Sequence, residues 1–143
     1  MTGSFKTAGM LALLFAASAA GAAGEHWNAP PTAAKRRNPV ASNAASIEQG
    51  KQLFKQNCAV CHGPAGRGDG PAAASLKPQP ADLAMMAGHH PDGDLAWKIA
   101  NGRGAMPSWK GSLSDEQIWV LVNYIKTLNA TPGERHDMEH HHH

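Results

Sequence analysis

The sequence predicts an all-α protein of three to five short helices joined by long loops. Two S-x-x-Q patterns, which are typical of helix starts, each precede apolar residues at helical spacing. No alternating run of apolar and polar residues is long enough for a strand. Glycine and proline are dense between the helical stretches, and loops of that length in a compact domain indicate that they enclose something.

Residues 1–22 are typical of a cleaved secretory signal peptide. Lys6 precedes an apolar stretch over residues 8–17, and small residues then offer cleavage after Ala19 or Ala22. The stretch is short for a spanning helix, which favours cleavage over an uncleaved membrane anchor. We therefore expect a bacterial periplasmic protein with no stable membrane insertion after cleavage.

The mature chain is expected to be close to neutral. The formal net charge is +2 over 143 residues, and Lys6 is the only charge among the first 24. So small a basic excess argues against nucleic acid as a partner.

One small domain is expected over residues 46–130, with less ordered chain on either side. Residues 23–45 are rich in proline, alanine and asparagine and have no apolar periodicity, which predicts a flexible arm. The basic triplet 35–37 within it is interpreted as a solvated charge run. Residues 131–143 are interpreted as a disordered tail, whose terminal histidine run is either an expression tag or a native metal-binding run.

The first predicted helix leads into the two cysteines. Ser46 and Gln49 form a capping-box pattern, and Gly50 and Phe54 then follow at helical spacing. A short helix capped by Asp82 is predicted next.

Two further helices are predicted in the second half of the domain. Residues 92–101 have helical spacing and stop at Gly102, a good C-terminal signal. The last helix begins with a second capping box at Ser114 and Gln117. Its apolar face consists of Ile118, Leu121, Val122, Ile125 and Leu128.

The motif that carries chemistry is the C-x-x-C-H run at residues 58–62. Two thiols three positions apart lie on one helical turn and can reach the two vinyl groups at one edge of a haem. Cys58 and Cys61 are therefore predicted to form thioether bonds to one haem c, with His62 as the proximal iron ligand. A disulfide between them would close a loop too short to stabilise much.

Other uses of the cysteines have less support. A thioredoxin-like redox pair requires a neighbouring βαβ pattern, which is absent. A zinc site requires two further ligands at finger-like spacing, and residues 89–90 are the one candidate pair.

Met106 is the best candidate for the distal iron ligand. It lies in a glycine-flanked loop before Pro107, which restricts it to extended conformations that cannot continue a helix. Met85 and Met86 fall in the predicted short helix and are interpreted as core residues. A bis-histidine site through residues 89–90 remains the alternative. A thioether ligand raises the potential relative to two nitrogen ligands, and two closed axial positions leave no open site for substrate.

Residues 50–128 resemble the small bacterial class I monohaem cytochrome c domain. The resemblance covers a little over half of the chain, and the first and last of its matching pieces together are specific. Those pieces are Gly50 and Phe54, the run 58–62, Gly70-Pro71, the run 104–109, and the face of residues 118–128 with Tyr124.

The resemblance implies a cytochrome c fold around a covalently bound haem, with roles for several residues. Gly50 is expected where the first helix crosses the last one near Tyr124. The carbonyl of Pro71 is expected to accept the second N–H of the proximal histidine. Trp97 and Trp109 are expected either to reach a haem propionate or to pack in the core. Arg67 and Lys77 are candidates for propionate neutralisation, with solvated charges as the default.

The expected function is single-electron transfer without enzyme activity. The leading hypothesis is a monomeric periplasmic shuttle whose partners are redox proteins such as a terminal oxidase, reductase or dehydrogenase. The alternative is a haem subunit or donor domain tethered to an oxidase, nitrite reductase or dehydrogenase complex, an argument by association. A small haem peroxidase would need an open iron position and a distal acid–base pair, and the sequence offers no obvious pair.

Overall fold

A computed structural model describes residues 26–129, together with Met1 and Gly3. Within this part of the chain there are six α-helices, two isolated β-bridges and no sheet, which confirms the all-α class. The helices are α1 (Pro31–Ala34), α2 (Ala44–Asn57), α3 (Ala59–His62), α4 (Leu83–His89), α5 (Asp92–Asn101) and α6 (Asp115–Thr127). The interpretations of a signal peptide and a terminal tail lie outside the described residues.

The first long helix, α2, crosses the last helix, α6, at Gly50. A Cβ atom at Gly50 would lie 2.8 Å from Cβ of Tyr124 and closer still to the Val120 carbonyl. Only glycine permits this approach. One turn later, Phe54 packs on Tyr124 with ring centroids 5.3 Å apart. The predicted crossing is therefore confirmed.

The core lies between α2, α4, α5 and α6. Phe54, Leu121 and Val122 are fully buried. The other members of the core cluster are Leu83, Ala87, Leu95, Ala96, Ile99, Ile118, Trp119 and Ile125. A core with so few aromatic rings offers limited apolar area for a domain of this size.

Side-chain caps define the helix starts, and two of the three predicted caps are confirmed. Ser114 and Gln117 form the capping box of α6, and Asp82 caps α4. Helix α2 instead begins earlier than expected, because Asn43 is its cap and Ser46 is the third helical residue. Ser46 is buried, and its hydroxyl donates to the Ala41 carbonyl at 2.8 Å. It therefore lies inside the first turn of α2 and is not the N-cap residue.

The two methionines of α4 lie in different surroundings. Met86 packs against the core, as expected. Met85 is 67% exposed, so the interpretation of it as a core residue is wrong. Leu83 and Ala87 share the buried face of this short helix at i, i+4 spacing, and Met85 lies two residues from each, on the opposite side.

Residues 26–41 form an N-terminal strap that packs over α5 and α6. Helix α1 approaches α5 so closely that a Cβ at Gly93 would contact the carbonyls of Ala33 and Ala34. The backbone N–H of Ala29 donates to the Asp94 carboxylate at 2.7 Å. The prediction of a flexible arm is therefore wrong for this part of the chain.

Polar groups explain why the strap has no apolar signature in the sequence. The Asn38 amide donates to the Trp119 carbonyl at 3.0 Å and to the Asn123 side chain at 2.8 Å. Asn123 is buried and donates in turn to the carbonyls of Val40 and Ala41. A segment attached by hydrogen bonds between amide side chains and backbone carbonyls needs no periodic pattern of apolar residues.

No helix within the described residues is long and apolar enough to cross a membrane.

Candidate functional site

The C-x-x-C-H run forms a single helical turn directly after α2. Cys58 ends α2 by donating its N–H to the Phe54 carbonyl at 2.8 Å, and α3 then carries Cys61 and His62. Gly63, with φ +79°, ends the turn in a conformation that favours glycine. Both cysteines are free thiols and half-buried. The structure thus brings Cys58, Cys61 and His62 together on one turn, as predicted.

The glycine-rich loop after His62 folds back onto this turn. The backbone N–H groups of Gly68, Gly70 and Ala72 donate to the carbonyls of residues 62, 61 and 60, at 2.8, 3.1 and 2.9 Å. These bonds satisfy carbonyls that the end of so short a helix leaves without helical partners. A Cβ at Gly70 would lie 2.6 Å from the Ala59 carbonyl oxygen, which explains the glycine. The loop therefore holds the turn in place.

His62 is oriented by a backbone carbonyl, although not by the expected one. Its Nδ1 lies 3.0 Å from the carbonyl oxygen of Ala81. The assignment of this contact to Pro71 is therefore wrong, because the loop that reaches the imidazole is the segment before α4. Any residue type can present a carbonyl, so no side-chain signal marks Ala81 in the sequence.

The Ala81 contact determines the tautomer of His62. A carbonyl oxygen only accepts, so Nδ1 carries the proton and Nε2 keeps a free lone pair. Burial lowers the pKa of His62, and the hydrogen bond to Ala81 acts in the opposite direction. A lowered pKa keeps the imidazole neutral near pH 7, which is the form that binds a metal.

The thiol of Cys58 is also neutral in this environment. Burial, with a smaller contribution from Cys61, raises its pKa to about 12. Val60, between the two cysteines, is 53% exposed, so one side of the turn faces solvent. The other side faces the core, against which Cys58 and Ala59 pack.

Met106 lies in a tight turn between α5 and α6. Its N–H donates to the Arg103 carbonyl at 3.0 Å, and the Arg103 N–H donates back at 2.9 Å. Gly104, with φ +57°, allows the chain to reverse within this turn. The Met106 side chain is half-buried and packs against the same core cluster as Cys58. The loop and the cysteine turn thus border one core.

Of the two tryptophans proposed for the site, one packs on this core. The Trp109 side chain contacts the core cluster, and the backbone N–H of Trp109 donates to the Ile99 carbonyl at 3.2 Å. Trp97 instead lines a cavity of about 160 Å³ between α1, α5 and α6, which none of the predicted iron or thioether residues lines. Arg67 and Lys77 are exposed, and their role beside a propionate stays a prediction.

The donor set matches the chemistry of haem c. Cys58 and Cys61, on one turn, could form the two thioether bonds, and the neutral imidazole of His62 has an available Nε2 that could serve as a proximal nitrogen ligand. The half-buried thioether of Met106, on a separate loop, could serve as a soft second ligand. The described residues contain no group of three or more histidine, cysteine, aspartate and glutamate side chains placed to bind a metal ion. The zinc alternative therefore gains no support.

Comparisons with known proteins give one consistent family. The family model described as cytochrome c oxidase, cbb3-type, subunit III matches residues 45–125, more than half of the chain. Cytochrome c6 of Tetradesmus obliquus is 30% identical over 82 residues, which cover 57% of this chain and 90% of the relative. The cbb3-type oxidase subunit CcoP of Azospirillum brasilense is 32% identical over 65% of this chain and 32% of the relative.

A solved structure supports the same fold. A chain of the reducing HAO-like protein complex of Kuenenia stuttgartiensis superposes with a TM-score of 0.55 and 29% identity, over 63% of this chain and 46% of that one. Fold, motif and sequence matches agree, and the C-x-x-C-H turn accounts for the cofactor of the matched cytochromes. This chain therefore belongs to the cytochrome c family of the cbb3-type subunit III model, as a class I c-type cytochrome that binds haem c covalently and transfers electrons.

Proposed function

We propose that this protein is a periplasmic shuttle that carries single electrons on one haem c. Cys58 and Cys61 would attach the haem, and His62 and Met106 would ligate its iron. The observation that carries the proposal is the His62 geometry, in which the Ala81 carbonyl holds Nδ1 and leaves Nε2 available. A histidine that binds a metal through one ring nitrogen typically donates the N–H of the other to a carbonyl or carboxylate, as Nδ1 of His62 does here.

Haem c supplies the one-electron change between ferric and ferrous iron. The chain's own residues determine how that change is used. Ala81 orients the imidazole, and the Arg103–Met106 backbone pair holds the thioether against the core. If His62 and Met106 both bind the iron, a substrate would have no site on it. This is the physical reason for assigning a carrier rather than an enzyme.

Several features support a free carrier. The match to cytochrome c6 covers nearly all of that small relative. The first 22 residues have the pattern of a cleavable export signal. A monomer that exchanges electrons with a terminal oxidase, reductase or dehydrogenase accounts for both. The folded unit would then comprise the domain predicted over residues 46–130 together with the strap.

A second candidate function is a fixed haem subunit of a larger complex. It is favoured by the family model itself and by relatives such as CcoP, of which this chain spans about a third. The FixPc subunit of Rhizobium leguminosarum matches in the same way, over 30% of its length. A donor domain tethered to an oxidase, nitrite reductase or dehydrogenase would use the same haem site.

Carbon monoxide binding tests the closed haem site. The purified full chain should show c-type bands in a reduced-minus-oxidised spectrum, and the reduced protein should not bind carbon monoxide at neutral pH. Ready binding would contradict a His62/Met106 iron and would reopen the peroxidase hypothesis. A potentiometric titration with optical readout should give a single one-electron wave.

Native purification distinguishes the two candidate functions. A shuttle should be recovered with the soluble proteins of the periplasmic fraction and should elute from a size-exclusion column as a monomer. Retention in the membrane fraction with an oxidase or a dehydrogenase would instead identify the tethered subunit.

A further inference from the structure

We propose that Trp27, in the N-terminal strap, is a positioning residue for the distal ligand Met106. The inference rests on the proposed ligation of iron by Met106. Trp27 itself is assigned no contact with haem, and it acts through Arg103.

The first step is the contact between Trp27 and the Met106 loop. The guanidinium carbon of Arg103 lies 5.9 Å from the centroid of the Trp27 ring, within the range of a cation–π interaction. Trp27 is half-buried and Arg103 is exposed, so the contact is partly solvated and belongs to the weaker range of such interactions. A residue of the strap thus touches a residue of the loop.

The second step is the coupling of Arg103 to Met106. Their backbones exchange two hydrogen bonds, of 2.9 and 3.0 Å, around the Gly104 turn. A displacement of the Arg103 backbone therefore breaks these bonds or moves the Met106 backbone, and the contact with Trp27 restrains Arg103 through the end of its side chain. The C-terminal end of the loop is held by other hydrogen bonds. Ser108 Oγ donates to the Ala100 carbonyl at 2.7 Å, and the Trp109 backbone N–H donates to the Ile99 carbonyl. Trp27 acts on the Arg103 side.

The third step is that the strap is itself firmly held near Trp27. The ammonium of Lys98 lies 5.8 Å from the same ring and 2.6 Å from the Asp94 carboxylate. That carboxylate also accepts the N–H of Ala29, two residues after Trp27. The ring is therefore anchored on α5 while it contacts the loop that follows α5.

Binding of exogenous imidazole to the ferric protein measures this positioning. Imidazole competes with the thioether for iron, so a loosened Met106 loop raises its apparent affinity. Loss of one cation–π contact should raise that affinity about two- to five-fold in Trp27→Ala. The Trp27→Phe variant retains an aromatic face and should lie close to the unmodified protein.

Two controls separate positioning from general loosening of the strap. Asn38→Ala removes the two hydrogen bonds from the Asn38 amide to α6, neither of which involves Arg103, and should leave imidazole affinity unchanged. Arg103→Gln should raise the affinity as Trp27→Ala does, and the double variant should show no further increase. Arg103→Gln also serves where Trp27→Ala fails to fold.

Unchanged imidazole affinity in both Trp27→Ala and Arg103→Gln would overturn the inference. An equal rise in Asn38→Ala would overturn it as well, since the effect would then belong to the strap as a whole. Failure of the underlying ligand assignment is separately visible. In that case the near-infrared band of the ferric protein would survive Met106→Leu.

Discussion

The loop around Met106 is held by backbone hydrogen bonds, while the Met106 side chain packs against the core. The paired hydrogen bonds with Arg103 and the packing of the loop on α5 do not involve the thioether sulfur. A substitution at this position therefore changes the ligand and leaves the loop in place. This makes Met106 a direct test of the axial assignment.

In Met106→His, we expect the haem to stay attached at Cys58 and Cys61 while its potential falls. Imidazole nitrogen replaces the soft sulfur that favours ferrous iron. The fall should be on the order of 0.1 V or more, within the ~0.8 V range that axial ligands span. The weak near-infrared absorption of a ferric iron–methionine bond should disappear. Redox titration and near-infrared spectra measure both effects.

The methionines of α4 provide the matched controls. Met85→Leu changes an exposed side chain and Met86→Leu a half-buried one, with little change in volume. Both variants should keep the band and the potential. Loss of the band in either one, with its survival in Met106→His, would move the distal ligand to α4.

Asp94 and Lys98 form a buried ion pair that supports the strap. The two residues are 3% and 4% exposed, and the ammonium and carboxylate lie 2.6 Å apart. The His90 Nδ1 is a further neighbour of the carboxylate, at 2.7 Å. Burial alone would raise the pKa of Asp94, but hydrogen bonds from Lys98 and from the Ala29 N–H outweigh it and lower that pKa.

Asp94→Asn should destabilise the protein by about 3–5 kcal/mol at pH 7, because the Lys98 ammonium is left buried without its counter-charge. The pKa of Asp94 in the folded state lies below its ordinary value of 3.8. The stabilisation is therefore present above pH 3.8 and is lost as the pH falls through the lowered pKa. Melting temperatures of the unmodified protein and the variant should converge in strong acid.

Removing both charges is the control for this pair. Asp94→Asn combined with Lys98→Met leaves no isolated buried charge and should recover part of the lost stability. A gap in melting temperature that stays constant from pH 7 to pH 2 would show that the Asp94 charge is not what stabilises the strap.

At the scale of single residues, the sequence predicts contacts made by side chains of distinctive chemistry. It does not predict contacts made by backbone groups. Cys58, Cys61 and His62 are adjacent residues of distinctive chemistry, so their grouping on one turn was predictable. Ala81 contributes through its carbonyl, which any residue type has. The Asp94–Lys98 pair of α5 contacts the strap at Ala29 and Trp27. These contacts join residues far apart in sequence, so no local pattern predicts them.

At the scale of elements, the sequence predicts two of the three side-chain caps. Asp82 has no competing cap residue nearby, and Ser114 forms a capping box with Gln117 directly before an apolar face. Near α2, Asn43 and Ser46 are both good caps, and the true start depends on burial of the Ser46 hydroxyl. Tertiary packing, which is not visible in a local pattern, decides between them.

The crossing of α2 and α6 depends on Gly50, which was predicted from the family resemblance. We expect Gly50→Leu to destabilise the fold by about 1–3 kcal/mol through overpacking. A side chain there would collide with backbone at Val120, which cannot move aside as a flexible side chain can. Thermal unfolding measures the loss, and the near-infrared band should be unchanged.

Gln49→Leu is the matched control for this variant. It places the same leucine one position earlier in α2, where the side chain is exposed. Its melting temperature should stay near that of the unmodified protein. Equal melting temperatures for Gly50→Leu and the control would remove Gly50 from the crossing.

At the scale of the whole molecule, the domain combines helices that the sequence predicts with a strap that it does not predict. Helices α2, α4, α5 and α6 follow from apolar periodicity and caps, and together they bury the core. The strap follows from no periodic pattern, because amide and backbone hydrogen bonds attach it. Its packing brings residues 26–41 into the folded unit and places Trp27 beside the loop that carries Met106.

The same protein core is too small to be expected to fold without its cofactor. Only four aromatic side chains form or border the described core, namely the buried Phe54 and Trp119 and the partly buried Trp109 and Tyr124 at its edge. Small domains with limited apolar area commonly depend on a metal, a disulfide or a cofactor. We therefore expect the covalently attached porphyrin to supply much of the buried apolar area.

The variant that changes both Cys58 and Cys61 to alanine should therefore be mostly unfolded when it does not retain haem. Binding to the native state stabilises it by mass action, and covalent attachment makes that stabilisation permanent. Each single alanine variant should keep one thioether and remain folded, with a lower melting temperature. Far-ultraviolet circular dichroism reports the helices, and near-ultraviolet signals report packing of the buried Trp119. A double variant that purifies without haem and keeps both signals would show that the fold does not depend on haem.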